Sequence, residues 1–94
     1  MQTKLLREIK KALPELRKSE VKVAEFVLNK PEDIIELTTA QASTAVGVSE
    51  PTLIRFCQAV GFNGFQKFKL TLAQQLAADN YFNSYEIDPN DSIQ

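Results

Sequence analysis

The 94-residue chain has no histidine, no tryptophan and a single cysteine, Cys57. Without histidine there is no imidazole to serve as a base near neutral pH or to ligate zinc. One cysteine cannot close an internal disulfide, and with no histidine beside it neither a zinc finger nor a Cys/His nucleophile pair can be built. Glycine occurs three times, at 47, 61 and 64, so there is no glycine-rich phosphate loop. Long apolar runs are also missing: none approaches the ~18 residues that span a bilayer. The opening "MQTKLLREIKKAL" is charged throughout and lacks the apolar block of a signal peptide. The expectation is a cytoplasmic protein, with no membrane association. Strand alternation and internal repeats are not seen. Glu32, Asp33 and Glu36 cluster, but they read as a solvated loop rather than a pair of catalytic carboxylates. No enzyme activity, metal or cofactor is expected.

Apolar residues make up 44% of the chain, enough for one modest core in one small domain. The net charge of −1 argues at first against nucleic acid. Its distribution reverses that view. Residues 1–78 carry all eleven bases and eight of the twelve acids, a net +3. Seven bases lie between Lys4 and Lys22, whereas Asp79, Glu86, Asp88 and Asp91 give the last stretch no positive partner.

Apolar positions 5, 6, 9 and 13 repeat with helical period, predicting a helix over about Thr3 to Ala12 that ends before Pro14. Ser19 is the expected cap of a second helix, Glu20 to Asn29, with Val23, Ala24, Val27 and Leu28 inward. "PEDIIEL" reads as one helical turn. Thr38 and Gln41 form a T-x-x-Q capping box ahead of a third helix, Thr39 to Val46, which Gly47 stops. Ser49 caps the next helix, residues 50–60, with Pro51 in its first turn. Leu53, Phe56, Cys57 and Val60 are its expected buried stripe, and Gly61 ends it. A last helix runs from about Phe65 to Ala78 on the stripe Phe65, Phe68/Lys69, Leu72 and Leu76. The chain thus divides into a domain over 1–78 and an acidic linker or disordered tail over 79–94 whose aromatic residues (Tyr81, Phe82, Tyr85) have no assigned role. The fold class is all-α, a small bundle of about five to six helices.

A short helix, a Gly-containing turn and a second capped helix make a helix-turn-helix. In that motif the second helix enters the major groove with its N-terminal residues at the base edges. Glu50, Pro51, Thr52, Ile54, Arg55 and Gln58 are expected outward. Arg55 can grip one guanine with two donors or clamp a phosphate. Ser49 and Thr52 can bond phosphate, Ile54 can touch a thymine methyl, and Gln58 can pair with adenine. Thr38, Thr39 and Lys69 complete the candidate DNA-contacting set. The acid at Glu50 repels phosphate and suits the helix N-terminus better.

"GVSEPTLIRFCQAVGFNGFQKFKL" resembles the N-terminal domain of the RpiR family of bacterial transcriptional regulators. The family pattern G-V-S-x-x-T-h-x-R-F-C (h apolar), then G-[FY]-x-G-[FY] and a Lys-bearing helix, is met by Gly47-Val48-Ser49, Thr52, Arg55-Phe56-Cys57, Gly61-Phe62, Gly64-Phe65 and Lys69. The likeness extends over about Leu5 to Ala78. "KSEVKVAEFVL", "VSEPT" and "LAQQLA" are nearest the family's hex regulon repressor branch, which controls sugar catabolism. Ala42 and Ser43 depart from the family's Leu-Ala pair, which implies weaker packing in the first motif helix. The resemblance implies sequence-specific binding of double-stranded DNA at a near-palindromic operator by a homodimer, as a repressor of sugar metabolism. It also implies a sugar-phosphate effector bound by a C-terminal sugar-isomerase-type domain, for which 94 residues have no room.

Each residue also has a plainer reading. Arg55 can pair with Glu50 or Glu36 within the domain. Cys57 and the Phe cluster are ordinary core. The bases of the first helix are a solvated face, or a rim around a dimer contact through Leu5, Leu6 and Ile9. The whole module can instead be a helical protein–protein interaction domain that does not bind DNA.

Overall fold

A computed structural model describes residues 4–87, with side chains through residue 78. Its elements are α1 (Lys4–Ala12), a 3-10 turn (Leu13–Glu15), α2 (Lys18–Asn29), α3 (Pro31–Ile34), α4 (Thr39–Val46), α5 (Glu50–Ala59) and α6 (Phe65–Ile87). All six helices among the described residues belong to one bundle, and no strand occurs among them. The all-α expectation is met. No described helix is long and apolar enough to cross a membrane.

The sequence stripes become the core. Leu5, Leu6 and Ile9 of α1 are buried against the bundle, so they are core residues and not a free dimer contact. They share one core with Val23, Ala24 and Val27 of α2, Ile34 of α3, Leu53 and Phe56 of α5, and Phe68 and Leu72 of α6. Each Val, Leu, Ile or Phe side chain among them contributes about 1.5–3 kcal/mol when fully buried. Phe68 is the hub. Its ring meets Phe56 and Phe62 edge-on at 5.6 and 5.7 Å and stacks on Phe65 at 6.3 Å. Offset and edge-on aromatic pairs add about 0.5–1.5 kcal/mol each beyond their buried area.

Three boundaries differ from expectation. Helix α2 starts two residues early because the Glu20 carboxylate reaches back to accept the Arg17 backbone N–H at 3.3 Å, making Arg17 and not Ser19 the cap. Helix α5 closes at Ala59. Val60 leaves helical geometry to enter the turn at Gly61, which leaves it half-buried instead of in the core. Helix α6 does not stop at Ala78 but continues to Ile87. Residues 79–87 contain neither Gly nor Pro, so nothing in the backbone chemistry ends the helix there. The rest of the expected tail, residues 88–94, and Thr3 of the expected first helix lie outside the described residues.

Helix α6 ties the bundle at two levels. Gln75 Oε1 accepts the Leu5 backbone N–H at 2.7 Å, satisfying an otherwise open amide at the start of α1. One and a half turns earlier, Lys69 Nζ donates to the Leu37 carbonyl at 2.6 Å, just ahead of α4. The α2 and α5 helices pack on each other, and α4 packs on both.

Candidate nucleic-acid interface

Helix α4, the residues 47–49 and helix α5 form the helix-turn-helix, with the turn and both helix starts where expected. Its first cap is reciprocal: Gln41 N–H donates to Thr38 Oγ1 at 3.1 Å, and Thr38 N–H donates to Gln41 Oε1 at 3.0 Å. At the other end of α4, Gly47 adopts φ +91°, and Gly47 and Val48 both donate to the Ser43 carbonyl. That left-handed residue reverses the chain in three residues. Ser43 is buried, and its hydroxyl donates to the Ala40 carbonyl at 2.9 Å. Ala42 is fully buried beside it, so the small Ala42-Ser43 pair packs without an orphan polar group.

Ser49 Oγ caps α5 by accepting the Thr52 N–H at 3.3 Å. Leu53, Phe56 and Cys57 are fully buried and anchor the helix. Glu50, Pro51, Arg55 and Gln58 are exposed on its outer side, together with Ser49 at the cap. This arrangement explains an arginine among apolar neighbours: it stands on the face opposite to theirs. The guanidinium is not paired with Glu50 or Glu36. Its partner among the described residues is Thr52 Oγ1, 3.5 Å from Nη2.

Three candidates are placed otherwise than expected. Thr52 is only 7% exposed and points inward. It sits four residues before Phe56, on the edge of the buried stripe, so its hydroxyl faces Ser49 and Arg55 instead of solvent. Lys69 is half-buried, and its ammonium is committed to the Leu37 carbonyl and lies 4.8 Å from the Phe65 ring centroid. It belongs to the packing between α6 and the segment ahead of α4, not to the outer face of α5. Ile54 is half-buried against the core and offers only part of its side chain outward. Thr38 is exposed and Thr39 half-buried at the start of α4.

The outer side of α4 supplies a surface the sequence reading left out. Ala40, Gln41, Thr44 and Ala45 line an open depression of about 370 Å³. Three small side chains and one amide leave room for close approach, on the helix that crosses the DNA backbone in this motif. The signal in the sequence is that smallness, "TAQASTA", which composition does not separate from ordinary helix packing.

The bases of α1 are elsewhere. Lys4, Arg7, Lys10 and Lys11 are exposed, and Lys11 shares a groove with Ala12, Glu15 and Ala59. Ala59 is the last residue of α5, about 14 Å along the axis from its first. The α1 cations nearest α5 therefore flank the end opposite Ser49. Cys57 is buried, and burial pushes its thiol up to about 12, far from the thiolate a redox sensor needs.

The helix-turn-helix domain of the rpiR family matches residues 3–79. The chain is 39% identical over 87 residues to the HTH-type transcriptional regulator HexR of Pseudomonas aeruginosa, covering 93% of this chain and 30% of that protein. It is 39% identical over 90 residues to HexR of Escherichia coli K12, covering 96% and 31%. The chain thus spans about a third of the length of these relatives. Among solved structures, the N-terminal domain of ybbH from Bacillus subtilis superposes with a TM-score of 0.74 at 34% identity, over 81% of this chain and 93% of that one. The Vibrio vulnificus NanR protein complexed with ManNAc-6P superposes with a TM-score of 0.77 at 26% identity, over 87% of this chain and 31% of that one.

Proposed function

The chain belongs to the rpiR family of helix-turn-helix domains, and from that premise we propose that it reads double-stranded DNA with α5 in the major groove. The carrying observation is the division of α5: three fully buried anchors on one side, an exposed Arg55 on the other, and a capped N-terminus at the exposed end. Arg55 is the base reader, with Gln58 and the outer part of Ile54 beside it. Ser49, Thr38 and Thr39 contact phosphate at helix starts, where backbone amides also favour an anion. Pro51 and Glu50 occupy the first turn of α5, Glu50 complementing the helix dipole.

The domain is the N-terminal part of a cytoplasmic bacterial regulator of sugar metabolism, acting as a repressor. It binds a near-palindromic operator as a homodimer, with two α5 helices ~34–36 Å apart. A sugar phosphate is the effector, held by a domain outside this chain. The HexR relatives and the sugar-phosphate complex of NanR support that assignment.

The test is selection from a randomised duplex library with wild type and Arg55→Ala in parallel at low salt. A two-fold symmetric site enriched by wild type, and relaxed at one base pair in the variant, is the expected result. Arg55→Ala should cost roughly 1–3 kcal/mol. Affinity should fall steeply with salt through counterion release. A protein with no salt-sensitive DNA binding would instead be a protein-interaction module.

A further inference from the structure

Thr52 is nearly buried, yet its hydroxyl has two neighbours. Oγ1 lies 2.9 Å from Ser49 Oγ and 3.5 Å from Arg55 Nη2. A guanidinium only donates, so Thr52 Oγ1 is the acceptor for Arg55. Between the two hydroxyls, direction follows from the hydrogen count. A hydroxyl has one hydrogen and two acceptor sites. Were Ser49 the donor, the Thr52 hydrogen would be stranded at a site 7% exposed, and stranding a buried donor is costly. Thr52 therefore donates to Ser49 Oγ, which also accepts the Thr52 backbone N–H at 3.3 Å. The relay runs from Arg55 through Thr52 to the helix cap.

At 3.5 Å the Arg55 contact is a long hydrogen bond, and it biases the guanidinium in two ways. It draws the guanidinium toward Thr52, one turn closer to the Ser49 end of α5, which is the end that enters the groove. It also removes one donor. The five N–H groups form two two-pronged edges, Nε with Nη2 and Nη2 with Nη1. Either Nη2 hydrogen can go to Thr52, and one edge stays whole. One whole edge fits the O6 and N7 acceptors of one guanine.

The geometry points to Thr52 as a positioning residue that, through its hydroxyl between Ser49 Oγ and Arg55 Nη2, sets Arg55 to read a single guanine. The inference rests on the DNA-binding reading above. Thr52 touches no base itself. Its effect is on specificity rather than on charge, so it should leave the salt dependence of binding unchanged.

The experiment uses the operator that wild type selects. Guanine preference is measured for wild type, Thr52→Val, Thr52→Ser, Arg55→Ala and the Thr52→Val/Arg55→Ala double variant, below the unfolding midpoint of each. Val keeps the shape and drops the hydroxyl; Ser keeps the hydroxyl. Thr52→Val should lower the preference for guanine about tenfold at the position Arg55 reads. Thr52→Ser should keep it, and Thr52→Val should add nothing once Arg55 is Ala. A 7-deazaguanine at that position should penalise wild type and Thr52→Ser but not the variants lacking the relay. Full preference in Thr52→Val, or losses that add in the double variant, would overturn the relay while leaving DNA binding intact. No DNA binding by wild type would overturn both readings. Independently of any variant, nitrogen relaxation of the Arg55 side chain in the free protein should show a restrained guanidinium, and free rotation there would overturn the tether.

Discussion

Replacing Lys69 by Met removes an ammonium while keeping a long apolar stem. In the native domain that ammonium donates to the Leu37 carbonyl at 2.6 Å and lies 4.8 Å from the Phe65 ring centroid. A hydrogen bond to a charged group is worth about 1.5–3 kcal/mol, and a cation over an aromatic face about 0.5–2 kcal/mol. Against these stands the partial desolvation of a half-buried charge, and Met recovers some apolar contact. A net loss of about 1–2 kcal/mol is expected. For a domain of this size each kcal/mol lowers the melting temperature by about 4–8 °C, so Lys69→Met should melt about 5–15 °C below wild type. Thermal and urea unfolding measure this directly. The companion assay is the salt dependence of DNA affinity, taken at a temperature where both proteins are folded. A phosphate-contacting lysine contributes about one unit to that slope. A structural tie contributes none, so the slope should match wild type. Unchanged stability together with a slope reduced by one unit would refute the placement of Lys69 inside the domain and return it to the DNA surface.

Cys57 ties stability to alkaline pH. The ordinary thiol value is 9.0 and burial raises it to about 12, so between these values the unfolded chain loses a proton that the folded chain keeps. Stability from this group is complete below pH 9 and declines as pH rises toward 12. At pH 10.5 wild type should lose about 1–2 kcal/mol more than Cys57→Ala, relative to pH 8, in urea midpoints; equal losses would contradict it. Gly47→Ala meets no neighbouring atom within 4 Å, so its whole cost, about 1–2 kcal/mol, should come from the φ of +91°. Gly64→Ala, also without a close neighbour, is the control and should unfold near the wild-type midpoint.

The helix-turn-helix was legible because its boundaries are set by short-range chemistry. Thr38 with Gln41, Gly47, and Ser49 before Pro51 each act within four residues, and each appears in the structure in that role. Spacing also picked out the anchors Leu53, Phe56 and Cys57. The differences have distinct physical origins. Thr52 reads as outward because it is polar, but at the edge of an apolar stripe a small hydroxyl with partners in reach can be buried, and here there are two. Arg17 does not read as a cap, because arginine is not a capping residue type; the Glu20 carboxylate three residues on accepts the Arg17 N–H. Lys69 and Gln75 act across 32 and 70 residues of sequence, distances over which no local pattern carries information. The length of α6 is consistent with the absence of Gly and Pro over 79–87, whereas the polar composition after Asp79 points the other way.

Helix α6 has 23 residues, about 34 Å at helical rise, and fewer than two thirds of them lie before Asp79. Its first two turns hold the Leu37 carbonyl through Lys69, and Leu37 is the residue before the Thr38 cap. Mechanically, α6 is a shaft with one end bolted to the reading head. Turning the shaft about its axis by one residue, some 100°, would swing Nζ away from Leu37, so the head must follow the rotation or lose the bolt. Torque applied near Ile87 thus reaches the segment just ahead of α4 through the Lys69–Leu37 bond, and α5 through the short turn over residues 60–64.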